Sequence, residues 1–125
     1  MTYILLSADE VEAIHEAVLN PGELQGFAGD KSLEGALGRV DNRFVYGMIE
    51  DIFDLAAAYA VAIATGHVFN DANKRTAHET MDICLVLNGV ELDHEAIEAG
   101  DLIRNVAQGK IDEDDLAAWL RRKAR

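Results

Sequence analysis

The sequence predicts an all-α protein, a compact bundle of about six helices forming one domain over residues 1–125. Three observations predict it. Apolar residues recur at three- and four-residue spacing in successive windows. Those windows open at capping residues and close at Gly or Asn. The composition, half apolar and 27% charged, is that of a chain able to bury one core.

The elements follow in order. Ser7 and Glu10 have the spacing of a capping box, and Val11, Ile14, Val18 and Leu19 then repeat at helical intervals until Asn20-Pro21-Gly22 stops the helix. A loop of roughly ten residues passes through Gly26 and Gly29. From about Lys31 a second helix carries Leu33, Ala36, Leu37, Val40, Phe44 and Val45, with Gly47 as its end. A third, from about residue 50 to 65, has little polar face, as a centrally packed helix requires; Gly66 is expected at its C′ position. The fourth runs from about Asn73 to Leu87 and stops at Asn88-Gly89, followed by a short extended piece at 90–92. The fifth covers about 94–108. The sixth starts on an Asp112 cap with acids at 113–115 and ends in Arg121, Arg122, Lys123 and Arg125, so both of its ends complement the helix dipole.

Charge and residue usage exclude several function classes. The formal net charge is −12, from 23 acidic against 11 basic residues, a surface that repels nucleic-acid phosphates and anionic lipid head groups. The basic C-terminus therefore reads as a helix end rather than a nucleic-acid site. The single cysteine, Cys84, rules out an intrachain disulfide and a thiolate metal cage, and within MDICLVL it reads as a core thiol rather than a nucleophile. His15, His78 and His94 are too scattered for a zinc site, and Trp119 reads as a core or interface residue. No apolar stretch approaches the ~20 residues of a membrane span, and no secretory signal opens the chain, so the expected location is the cytoplasm.

The chemistry concentrates in residues 67–75, HVFNDANKR, between two strongly apolar helices. Asn73, Lys74 and Arg75 open the fourth helix, whose free N–H groups and positive dipole end favour an anion; two cations there suit a polyphosphate against the acidic surface. Asp71 is a hard oxygen ligand suited to a magnesium ion that also bridges phosphate oxygens. His67 is the loop's one imidazole, a side chain able to take a proton from an attacking hydroxyl. Val68 and Phe69 read as anchors pinning the loop to the core. The bland alternative gives Asp71 or Asn70 a capping role and His67 a loop hydrogen bond. It leaves Lys74 and Arg75 unexplained, because cations at a helix N-terminus oppose the dipole. The parts together suit phosphoryl or nucleotidyl transfer. Arg39 and Arg43 share one helical face and are expected in solvated ion pairs with acids beside Asp41 or Glu50.

At these residues the chain resembles the Fic/Doc family, whose loop reads H-x-F-x-(D/E)-(G/A)-N-(G/K)-R and opens a helix. His67, Phe69, Asp71, Ala72, Asn73, Lys74 and Arg75 match it in order without gaps. Family members that transfer AMP usually read G-N-G-R-x-x-R; here Ala72, Lys74 and His78 stand at the two glycines and the last arginine. Lys74 projects a cation where glycine lets phosphates approach the backbone. The wording GHVFNDANKRTA is closest to the Doc branch, toxins of toxin–antitoxin modules. That resemblance implies ATP bound with its γ-phosphate near His67, and transfer of phosphate to a protein hydroxyl. The implied target is a threonine of elongation factor Tu, and the implied outcome is arrest of translation. By the same analogy His67 is the general base, Asp71 the Mg2+ ligand, and Asn73, Lys74 and Arg75 the phosphate cradle. The inhibitory (S/T)-x-x-x-E-(G/N) segment of many Fic enzymes is missing; Ser7 plus four is Val11. The resemblance therefore implies inhibition by a separate Phd-like antitoxin that folds on binding.

Overall fold

A computed structural model describes residues 2–93 and 96–125. Six helices follow one another: α1 (Ala8–Val18), α2 (Leu33–Val45), α3 (Ile52–Gly66), α4 (Asn73–Leu87), α5 (Ala96–Ala107) and α6 (Glu113–Lys123). The all-α expectation holds. The expected start of the fifth helix at His94 lies outside the described residues.

Local capping chemistry sets most of the boundaries. Ser7 accepts from Glu10 N while the Glu10 carboxylate accepts from Ser7 N, closing the capping box at α1. Asp112 and Asp115 repeat that arrangement at α6. Ser32 and Asp51 cap α2 and α3 through single side-chain bonds to Gly35 N and Asp54 N. Each such cap contributes about 1 kcal/mol.

The core gathers around α3, which packs against α2, α4, α5 and α6. Leu55, Ala56, Ala57, Ala60 and Ile63 are wholly buried, and the alanines let neighbouring helices approach closely. Leu116 and Leu120 of α6, Met81 and Leu85 of α4, and Ile103 of α5 complete that core. Cys84 is buried there and its thiol is pushed up to about 12 by burial, so it is inert at neutral pH. Trp119 is buried with its indole N–H donating to Glu98 Oε1 at 3.0 Å.

Three of the four basic side chains at the C-terminus pair within the molecule. Arg121 forks onto Asp51 and Asp54 at the start of α3, Lys123 reaches Glu98, and Arg125 faces Asp93. The extended piece at 90–92 is reduced to a single bridge between Leu92 and Ala124. Arg43 departs from expectation: its carboxylate is Glu113, 3.3 Å away at the start of α6, because α2 lays that face against the bundle rather than along its own neighbours. No helix among the described residues is long and apolar enough to cross a membrane.

Gly66 also differs from its expected role. It remains inside α3, and the left-handed residue is His67 (φ 49°, ψ 41°). A Cβ at position 66 would stand 3.3 Å from Val68 Cγ2 and 3.5 Å from the Ala36 methyl. Glycine is there for close packing, which displaces the kink by one residue onto the histidine.

Candidate active site

Two of the residues flanking the 67–72 loop hold conformations that side chains rarely adopt. His67 ends α3 in the left-handed region and Ala72 (φ 66°) opens α4 in the same region; among the described residues these are the only non-glycine positions with positive φ. Such conformations cost on the order of 1–3 kcal/mol each and cluster where geometry serves chemistry. Between them Val68 and Phe69 plunge into the core, each 2% exposed, while Asn70 turns out to solvent.

The loop is braced from three directions. Asn73 Oδ1 accepts from Phe69 N at 3.0 Å and its Nδ2 donates to Phe69 O at 2.9 Å, so the first side chain of α4 grips the loop behind it. The segment after α1, expected to be irregular, lies antiparallel to the loop: Ala28 N donates to Val68 O (2.7 Å) and Asn70 N to Gly26 O (3.1 Å). From α1, His15 stacks on Phe69 with ring centroids 3.8 Å apart and planes 7° from parallel. Its Nε2 lies 2.8 Å from the Asp71 carbonyl, which only accepts, so that nitrogen carries the proton.

These braces surround a cavity of about 490 Å³ lined by the loop, the first turn of α4 and the facing side of α5. His67 is exposed to it, and among the described residues its ring makes no hydrogen bond, which leaves both nitrogens available. No side chain caps α4. The backbone N–H groups of residues 73–75 precede the first intrahelical donor, Thr76 N, and are open to an anion. Lys74 projects into the same space. Asp71 lies at its edge with Oδ2 accepting from Leu24 N at 2.8 Å, leaving Oδ1 for a cation.

No group of three or more His, Cys, Asp or Glu side chains among the described residues could cage a metal by itself. One carboxylate oxygen beside an anion site nevertheless fits magnesium, which takes one or two carboxylates and completes its shell with phosphate oxygens and water.

Arg75 is differently placed from Lys74. Its Nη1 donates to Val18 O and Glu23 Oε1, both at 2.7 Å, and its Nη2 to Glu23 Oε2 at 2.5 Å. That fork, with a further bond from Asn20 N, holds the Glu23 carboxyl at about 2, far below the usual carboxylate range. His78, one turn further along α4, also lines the cavity; Asp82, 3.3 Å away, raises its pKa. His67, Asp71, Asn73, Lys74 and Arg75 thus line this one cavity, with Phe69 buried in the core as the loop's anchor. Four others were not singled out: His15, Glu23, Gly100 and Arg104. Only His15 left a trace, a polar residue on the same apolar face of α1 as Val11 and Ile14.

Comparison with known proteins gives a family and two relatives. The model of the Fic/DOC family matches residues 5–85. "Protein kinase doc" of Escherichia phage P1 is 40% identical over 118 residues, 94% of this chain and 93% of its own length. "Toxin Doc" of Mycolicibacterium smegmatis (strain ATCC 700084 / mc(2)155) is 35% identical over 115 residues, covering 84% of this chain and 87% of its own.

Proposed function

The chain belongs to the Fic/DOC family, and from that membership we propose that it is a Doc-type toxin: an ATP- and Mg2+-dependent protein kinase that arrests translation and is held in check by an antitoxin. The observation that carries this reading is the exposed, unpartnered His67 ring facing the same cavity as Lys74 and the uncapped start of α4. The likeness to a relative named as a kinase supports phosphate over AMP as the transferred group. So does Lys74, which fills the space that glycine leaves open for an α-phosphate.

In this mechanism His67 takes the proton of the target hydroxyl as its oxygen bonds to the γ-phosphorus of ATP. The bond from that phosphorus to the β,γ-bridging oxygen breaks, and ADP departs with the electron pair. The N–H groups at 73–75 and the Lys74 ammonium hold the phosphates in line and offset the charge spreading over them. Asp71 would hold the magnesium ion, whose contribution is to neutralise phosphate oxygens. Asn73 contributes through the loop it grips, and its backbone N–H faces the anion. By the family analogy the substrate is a threonine of elongation factor Tu and the antitoxin is Phd-like, folding as it binds.

Label position tests the proposal. With elongation factor Tu and Mg2+, label from γ-labelled ATP should appear on the factor and label from α-labelled ATP should not. Label from the α position would make the protein an AMP transferase. Label from neither, with growth unaffected by expression, would reduce it to a nucleotide-binding module. In Lys74→Gly, space restored beside the backbone should shift the product towards AMP transfer.

Arg75 joins the cradle only by leaving Glu23. The Arg75 side chain is exposed and Glu23 is partly so, which leaves the pair open to a polyphosphate that displaces the carboxylate. Glu23→Gln, which weakens the fork and removes a negative charge from the cavity wall, should tighten ATP binding several-fold by calorimetry. Unchanged affinity would mean that Arg75 stays clamped and serves the loop alone.

A further inference from the structure

The charges on the cavity wall balance in a way that singles out a residue beyond the loop motif. Glu23 offsets Arg75 in a bidentate pair, and the carboxylate of Asp71 offsets Lys74. His78 is paired with Asp82. Glu23, Arg75, Asp71 and Lys74 by themselves make a neutral wall in a protein of net charge −12, a poor trap for a polyphosphate. One further permanently charged side chain lines the cavity, Arg104 of α5; its paired carboxylate, Asp101, lies off the lining, so Arg104 adds one positive charge to the lining itself.

Its setting leaves the guanidinium usable. Ile103 beside it is buried, so α5 is fixed to the core at this point. At Gly100, one turn earlier, the nearest atom to a notional Cβ is Arg104 Nη1 at 3.8 Å, so the missing side chain gives the guanidinium room to lie along the helix at the cavity edge. Its own ion pair is with Asp101, which is not part of the lining, and both side chains are more than half exposed. A pair so exposed to solvent holds its partners weakly and yields to a denser anion. A guanidinium is suited to that exchange, since its fork matches phosphate oxygens as well as a carboxylate.

We propose that Arg104 is a phosphate-contacting residue of the nucleotide site, supplied by α5 from outside the loop that carries the rest of the anion-binding groups. The proposal rests on the reading of this cavity as a nucleotide site. It assigns Arg104 to the polyphosphate rather than to the base or the sugar.

Calorimetric titration of the full chain with ATP and with inorganic tripolyphosphate, both with Mg2+, tests it. Arg104→Gln should weaken both ligands by about tenfold, the loss of one charge-assisted contact, whereas Arg104→Lys should retain most of the affinity. Both variants should melt with the wild type, because the side chain is exposed. Two results would overturn the assignment: unchanged affinity for both ligands in Arg104→Gln, or a loss for ATP without one for tripolyphosphate, which would place the side chain on the base or sugar. A wild-type chain that binds tripolyphosphate but transfers no label would leave Arg104 in place and remove the kinase reading. A wild-type chain that binds neither ligand would remove both.

Discussion

His67→Ala should abolish transfer of label while leaving ATP affinity within about twofold of the wild type. A positioned general base contributes roughly 10²–10⁴ in rate, so the loss is readily measured in a time course with γ-labelled ATP. Affinity should survive because the groups proposed to bind the anion lie on α4, in the backbone N–H groups of residues 73–75 and in Lys74, and not in the His67 ring. The histidine also ends α3 in the left-handed region, so a loss in the alanine variant has two explanations, the kink and the base. His67→Asn separates the two. Asparagine adopts that conformation more readily than most residues and cannot act as a base at neutral pH. It should therefore melt like the wild type and be as inactive as alanine. Transfer that persisted in His67→Asn would remove the base role. A variant protein expressed in cells should likewise leave growth unimpaired.

What the sequence makes legible is what is local. Capping boxes at Ser7–Glu10 and Asp112–Asp115 each lie within four residues, and the helix boundaries they imply are those observed. The loop motif is equally local, and its run of polar residues between two apolar helices marks the cavity. What escaped is what depends on residues far apart in the chain. Leu24 N reaches Asp71 across 47 positions, Glu23 reaches Arg75 across 52, and His15 reaches the Asp71 carbonyl across 56. None of these partners carries a pattern of its own: LQGFAG has no strand alternation, and a lone glutamate after Pro-Gly reads as turn solvation. Arg104 is invisible for the same reason, since its neighbours on α5 read only as an amphipathic helix and the cavity opposite is made by another part of the chain. The displacement of the kink from Gly66 to His67 is a case of tertiary packing overriding a local preference. Glycine ordinarily supplies a positive φ, but here the close approach of Val68 and Ala36 claims it first.

That dependence on distant braces gives the second large effect, at Phe69. Its ring is 2% exposed, stacked on His15 and 5.5 Å from the ring of Phe27, so it joins α1, the antiparallel segment and the 67–72 loop through one side chain. Phe69→Ala should cost about 3–5 kcal/mol of stability, the range for truncating a buried aromatic, and lower the melting temperature by on the order of 10 °C or more. Because the empty space lies directly beneath the loop, activity should fall further than the unfolded fraction accounts for. His15 loses the ring that orients it towards the Asp71 carbonyl, and the segment at 24–28 loses its apolar contact, leaving hydrogen bonds to Val68, Asn70 and Asp71 to hold it. A displacement of about 1 Å at a reacting group is enough to cost on the order of 10²-fold in rate. The check is a measurement of kcat at a temperature where the melting curve shows the variant folded. Phe69→Leu, which refills most of the volume, should recover the greater part of the stability but less of the rate, since it restores packing without the stacked ring. Wild-type kcat in folded Phe69→Ala would show that the loop holds its geometry through Asn73 and the backbone bridge alone.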